Sequence, residues 1–178
     1  MEHKSEQRGN PDCIEEGTVL RFLGRDFRIA IFPAAKNQAV DTEGTLQLFC
    51  KDTGKAQAVF DKWWKNLAAA VFQEAMTRLY PLVEAGGAPV PGLKTRKMTS
   101  RWGSCNTVKK SITLNLYLLM GEQDCVDYVV LHELGHLLYP NHGKGFHRFV
   151  AENMPDWKSR KAKLNAVKIP RRKKYGRA

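Results

Sequence analysis

"VVLHELGHLLYPNHGKGFH", residues Val129 to His147, decides how this chain is read, because three of its five histidines fall between His132 and His142 and a glutamate follows the first. In a helix, residues four apart share a face, so His132 and His136 can offer two imidazole nitrogens to one ion. Glu133 points about 100° round the axis; it is poorly placed as a ligand and well placed to reach a water on the metal. A third ligand has to come from beyond the helix. The turn "PNHG" can return His142 toward the first two, and Asn141 and Gly143 are residue types that tolerate such a reversal. His147 and Glu152 are rival third ligands, with His142 preferred because it lies in the turn rather than on the following helix.

Three histidines and an open position make the arrangement of a catalytic zinc rather than a closed structural one. Zinc in such a site brings the pKa of its water toward neutrality and polarises a carbonyl. Glu133 then takes the proton and hands it to the leaving amine. These are the two functions that peptide-bond hydrolysis requires. An inert pair of helix histidines beside a surface glutamate is the bland alternative, and it leaves His142 and its turn unexplained. A nucleic-acid-binding module held together by a structural zinc is the other class of reading, and it has no use for Glu133.

Upstream, "LKTRKMTSRWGSC" and "SITLNLYLL" read as two extended runs joined by "NTVKK", a hairpin beside the helix. Before them, Ala56 to Tyr80 carries apolar residues at Val59, Trp63, Leu67, Ala70, Phe72, Met76 and Leu79, near helical spacing, and Pro81 ends the run. Trp63 and Trp64 read as core and rim packing. "TVLRFLG" and "DFRIAIF" alternate as a hairpin turning at Gly24–Arg25, and "TLQLFC" reads as a third strand. Downstream, the helix from about Glu122 to Tyr139 stops before Pro140. Phe146, Phe149 and Val150 mark a further helix, with another turn or two after Pro155. The order of strands, helix, strands, helices is α+β.

The length suits one domain, taken as 17–167, between a polar N-terminal tail, 1–16, and a basic C-terminal tail, 168–178. Of 29 Lys and Arg, ten lie from Lys158 onward with no acid, so the +11 net charge belongs almost wholly to that end. Such a tail attracts nucleic acid through screened electrostatics, or serves only as a solvated end. The charged N-terminus lacks a secretory pattern and no apolar run nears the ~20 residues of a membrane span, so a cytoplasmic protein without a membrane partner is expected. Cys13, Cys50, Cys105 and Cys125 form no CxxC pair, which reads as reduced structural thiols.

Three segments together, "SRWGSCNTVKKSITLNLYLL", "YVVLHELGHLLYPNHGKGFHRFV" and "MPDWKSRKAKLN", resemble the YgjP-like metallopeptidase domain, a relative of the SprT-like and WLM zinc peptidases. The resemblance implies a zincin-type fold, with His132, His136 and His142 as zinc ligands and Glu133 as the catalytic base on a protein or peptide substrate. It also implies strands beside the active-site helix whose edge takes an extended substrate by main-chain hydrogen bonding. Arg101, Trp102, Gly103 and Ser104 are the candidate substrate-binding residues. Tyr139 or Arg101 is the candidate oxyanion stabiliser. By likeness to the SprT-like relatives, a protease tethered to nucleic acid by the basic tail is the nearest variant of this reading. The chain departs from the family pattern at His147, where an aromatic residue is usual, which leaves His147 as a cleft residue or an extra ligand. The histidine spacing equals that of metzincins, but Tyr139 stands where their turn has glycine, so the chain is not assigned to them.

Overall fold

The structure, a computed structural model, describes residues 9–170. Most of the anticipated basic tail and half of the anticipated polar N-terminal tail lie outside the described residues. The chain divides into two compact units, Met1–Leu67 and Ala68–Ala178.

In the first unit, strands β1 (Val19–Phe22), β2 (Arg25–Pro33), β3 (Gln38–Thr42) and β4 (Thr45–Cys50) form one sheet in the order β1-β2-β4-β3. β1 and β2 are the expected hairpin, but its turn is Leu23–Gly24 rather than Gly24–Arg25. Both turn residues have positive φ, 50° and 79°, the backbone of a tight turn that follows the strands' right-handed twist. "TLQLFC" is the fourth strand, not the third. It runs parallel to β2 and pairs antiparallel with β3 across a second turn of the same kind, Glu43–Gly44. The alternation of Leu20, Phe22, Phe27, Ile29, Leu46 and Leu48 puts these side chains on one buried face, as a half-buried sheet requires. Phe60 and Trp64 pack on Phe22 there, at ring separations of 6.2 and 5.6 Å.

Both residues come from helix α1 (Ala56–Leu79), whose bounds agree with the sequence reading to within a residue. Of the expected stripe, Val59, Phe72, Met76 and Leu79 are buried, joined by Phe60, Trp64, Ala68 and Ala75, whereas Ala70 is exposed and Trp63 and Leu67 sit at the rim. In the first half of the helix the buried positions lie one residue from Trp63 and Leu67, a shift that keeps helical spacing, so periodicity alone does not choose between them. Pro81 lacks an N–H, which α1 would need in order to continue; a separate single turn, α2 (Pro81–Glu84), begins there.

The second unit holds β5 (Gly92–Arg96), β6 (Gly103–Asn106) and β7 (Ser111–Asn115) in the order β5-β7-β6. β6 and β7 form the expected hairpin. β5 is separate and runs parallel to β7 along its other edge, which makes β6 an edge strand. "LYLL", anticipated as more strand, belongs to a 3-10 turn, Leu116–Met120. The side-chain oxygen of Asn115 accepts from the N–H of Tyr117 at 3.2 Å and so caps that turn. Helices α3 (Gln123–Gly135), α4 (Lys144–Asn153) and α5 (Trp157–Ala166) follow, and α3 packs against β6, β7, α4 and α5. Ten of its thirteen residues are buried, which explains why a segment this apolar on nearly every side forms a central helix. Among the described residues, no helix is long and apolar enough to cross a membrane.

Candidate metal centre

α3 ends at Gly135, four residues before the tyrosine where the sequence reading ended it, and His136 is its C-cap with helical φ and ψ of −67° and −16°. The chain then makes one more loose turn, closed by the N–H of Tyr139 on the carbonyl of Gly135 at 2.9 Å. His132 and His136 therefore keep their helical spacing, while the backbone beyond is free to turn. Pro140 bars further helix, and in the next turn the side chain of Asn141 accepts from the N–H of Gly143 at 3.2 Å. Gly143 is extended, φ −74°, so backbone freedom is not the reason for a glycine. A Cβ there would stand 2.9 Å from the Asn141 Oδ1, and the turn needs that space.

The turn returns His142 to the helix. Ligand nitrogens of His132, His136 and His142 all lie within 4.8 Å of one another, and the Nε2 atoms of His132 and His142 are 2.9 Å apart. Nitrogens sharing one tetrahedral zinc at ~2.0–2.1 Å stand roughly 3.3 Å apart, a separation this cluster brackets. Among the described residues His147 and Glu152 are outside the cluster. His147 lies over His142 and Trp157, at ring separations of 6.4 and 6.1 Å.

Two features prepare the imidazoles for a cation. His136 Nδ1 lies 3.0 Å from the carbonyl oxygen of Tyr139. Because only an N–H can bond there, Nε2 is left with its lone pair toward the cluster. His132 is pushed down to a pKa of about 3, first by burial and then by the neighbouring His136, His142 and Lys161, so it is neutral and able to ligate across the physiological range. Burial, with His136, His147 and Lys161 nearby, holds His142 low as well.

The floor of the cluster is Phe146 on α4. Its ring centre is 4.8 Å from His132, 4.7 Å from His136 and 4.8 Å from His142. Gly135 lets α4 come this close, since a Cβ on it would meet Phe146 and Phe149 at 3.1 Å. The sequence marks Phe146 only as part of an apolar stripe, and nothing in its spacing from His142 signals contact with all three histidines.

Glu133 is buried on the adjacent side of α3, beneath β6. Burial raises its carboxyl pKa to about 7, against the opposing effects of Arg101 and a hydrogen bond from the backbone N–H of Cys105. That N–H is a further functional group the side-chain pattern does not reveal. Gly103 is flush against the carboxylate, whose Cγ and Oε1 would both be 2.7 Å from a Cβ on the glycine.

The other expected cleft residues divide. Arg101 is exposed, with its charge felt at Glu133. Trp102 is half-buried, and its carbonyl accepts from Asn115 at 2.9 Å. Ser104 sits mid-strand in β6 opposite Thr113. The Tyr139 ring packs beside Gly145, where a Cβ would meet it at 3.1 Å, and lies 5.9 Å from the Phe149 ring. Asn115 is fully buried and holds the segment leading into β6, donating to the carbonyls of Met98 and Arg101, both at 2.8 Å, and accepting from the Met98 N–H at 3.1 Å.

Among solved structures, the metallopeptidase zymogen of Methanocaldococcus jannaschii jannalysin is similar to this chain at a distance, with 19% identity and a TM-score of 0.43 over 55% of this chain and 92% of that one. No curated protein matches the chain. The family described as YgjP-like, metallopeptidase domain, matches residues 1–167, a span that takes in the three clustered histidines, the buried glutamate and the strands around them. This chain therefore belongs to the YgjP-like metallopeptidase domain family.

Proposed function

We propose that the chain is a zinc-dependent peptidase acting on intracellular protein substrates, with His132, His136 and His142 holding the metal and Glu133 serving as general base. The observation that carries this reading is the pairing of three converging imidazoles with one buried carboxyl whose pKa of about 7 suits proton transfer near neutral pH. Three nitrogen ligands fit zinc and leave it a position for substrate or water. When bound, zinc supplies a Lewis acid that polarises the scissile carbonyl and makes water nucleophilic near neutral pH.

The chain's own residues do the rest. Glu133 collects the proton of the attacking water on its carboxylate and returns it to the departing amine. The Cys105 N–H holds one lobe of that carboxylate, and Gly103 keeps the space above it. Edge strand β6 offers main-chain groups to an extended substrate, so peptide of varied sequence can be aligned along it. Arg101, at the head of this strand, is suited to stabilising negative charge on the reacting oxygen.

The test is zinc content and cleavage of an unfolded protein, measured on wild type, His142→Ala and Glu133→Gln. The reading expects about one zinc per chain in wild type and Glu133→Gln, reduced zinc in His142→Ala, and activity lowered at least ~100-fold in both variants. Full activity in Glu133→Gln with zinc bound would remove Glu133 from the role of general base.

A further inference from the structure

α5 carries four cations, Lys158, Arg160, Lys161 and Lys163, and the fold uses two of them. Arg160 Nε is 2.9 Å from Asp156 and its Nη1 is 3.9 Å from Asp127. Lys163 Nζ is 2.9 Å from Glu122 and 2.7 Å from Asp124. The pairs with Asp127, Glu122 and Asp124 fasten α5 to the start of α3. Among the described residues, Lys158 and Lys161 have no carboxylate at ion-pair distance.

Those two belong to the side of the helix that meets the histidines. Trp157 is nearly parallel to Tyr128, at 6.5 Å and 14°, and to His147, at 6.1 Å and 28°. Tyr128 in turn meets His132 at 5.9 Å, and His147 meets His142 at 6.4 Å. The five rings thus close a circuit of which two members are the proposed zinc ligands. Lys158 Nζ stands 5.8 Å from the centre of the Trp157 ring. Lys161, one turn beyond Trp157, shares its face, and its charge reaches His132 and His142.

The charge balance follows. The lysine that acts on His132 is Lys161, and the charged side chain acting on Glu133 is Arg101. Among these groups the one carboxylate, Glu133, stands against Arg101, Lys161 and, on the Trp157 ring, Lys158, and a divalent cation held by the histidines would add to the positive side. A cleft of this sign concentrates anionic substrate and repels cationic substrate.

Resting on the peptidase reading, we propose that this face of α5 is a substrate subsite for acidic polypeptide, in which Lys158 and Lys161 take side-chain carboxylates and Trp157 with His147 forms the wall. A single-stranded nucleic acid is the competing polyanion. The peptide is favoured because Lys161 acts on two of the clustered histidines and Lys158 lies on the Trp157 ring in contact with His147, close to where a scissile segment must lie.

The experiment uses full-length, zinc-loaded Glu133→Gln protein, which should hold peptides uncut, and fluorescein-labelled peptides of equal length rich in Glu, Gln or Lys, with a labelled oligothymidylate alongside. Anisotropy should give about tenfold tighter binding of the Glu-rich than the Gln-rich peptide at low salt. The margin should vanish in a Lys158→Ala, Lys161→Ala variant, and Lys161→Glu should shift preference toward the Lys-rich peptide. Both lysines are exposed, and unchanged thermal unfolding of the variants confirms that only the surface has been altered. Equal binding of Glu-rich and Gln-rich peptides overturns the proposal. So does a margin that survives the double substitution, or oligothymidylate that displaces the Glu-rich peptide and depends on the same lysines. Cleavage by wild type is read separately. Binding that depends on the lysines without cleavage of any peptide leaves the subsite standing and sinks the peptidase reading, while cleavage with no preference does the reverse.

Discussion

Gly103 and Glu133 share one volume: a methyl group on the glycine would fall 2.7 Å from both Cγ and Oε1 of the glutamate. Gly103 has no positive φ, so the constraint is closeness and not backbone conformation. Gly103→Ala should therefore fold and bind zinc but move the carboxylate, because β6 is held by β7 while the side chain of Glu133 can rotate. A shift of about 1 Å in a catalytic group costs on the order of 100-fold in rate. Cleavage rate and zinc content measured together check this; an unchanged rate would show that the carboxylate tolerates displacement.

Phe146 touches all three imidazole rings and ligates nothing. Phe146→Leu keeps the site apolar but removes the flat surface on which the rings rest, so it should weaken zinc binding about tenfold. The cost in stability should be about 1 kcal/mol, since volume is nearly conserved. Competition with a zinc chelator, alongside thermal unfolding, separates the two effects. Equal zinc affinity would mean that the helix and the turn position the histidines without it.

Glu133 gives the metal-free protein a pH dependence whose sign is set by burial. Its pKa rises from 4.5 in the unfolded chain to about 7 in the fold, so the folded state holds a proton that the unfolded state has released. Stability from this group is fully present below about 4.5 and is lost as pH climbs to 7 and beyond, by a total on the order of 3 kcal/mol. Glu133→Gln cannot ionise and should overtake the wild type in metal-free stability at pH 8 while matching it near pH 4. Denaturant unfolding in chelator at the two pH values tests this, and parallel behaviour of the two proteins would contradict it. Adding zinc should narrow the gap, because a nearby cation favours the carboxylate.

Asn115 uses both its donors and its acceptor on the backbone of Met98, Arg101 and Tyr117. Asn115→Asp replaces two donors with acceptors facing two carbonyls, and each buried unsatisfied group costs roughly 1–3 kcal/mol. The variant should lose several kcal/mol, and in whatever fraction stays folded the segment carrying Arg101 and Trp102 should become more open to protease. Limited proteolysis between Met98 and Trp102 is the readout, and wild-type resistance would show that β6 is registered without this hub.

Much of this protein was legible in its order of residues. A four-residue spacing places two side chains on one helix face whatever the surroundings, so His132 and His136 were readable as a pair, and the turn chemistry of Pro140 to Gly143 indicated that His142 returns to them. Alternation and helical periodicity likewise located α1, the β1–β2 and β6–β7 hairpins and the α+β order, because those patterns report on local burial. What the tertiary structure decided depends on groups far apart in sequence. β3 was hidden because QAVDT is short and mostly polar. The parallel partners of β7 and β2 were hidden because pairing leaves no mark in either strand alone. The exclusion of His147 from the cluster, the Phe146 floor, the Cys105 N–H on Glu133, and the division of the α5 cations between structural ion pairs and a free face follow from packing between elements. That packing fixes distances which spacing along the chain does not contain.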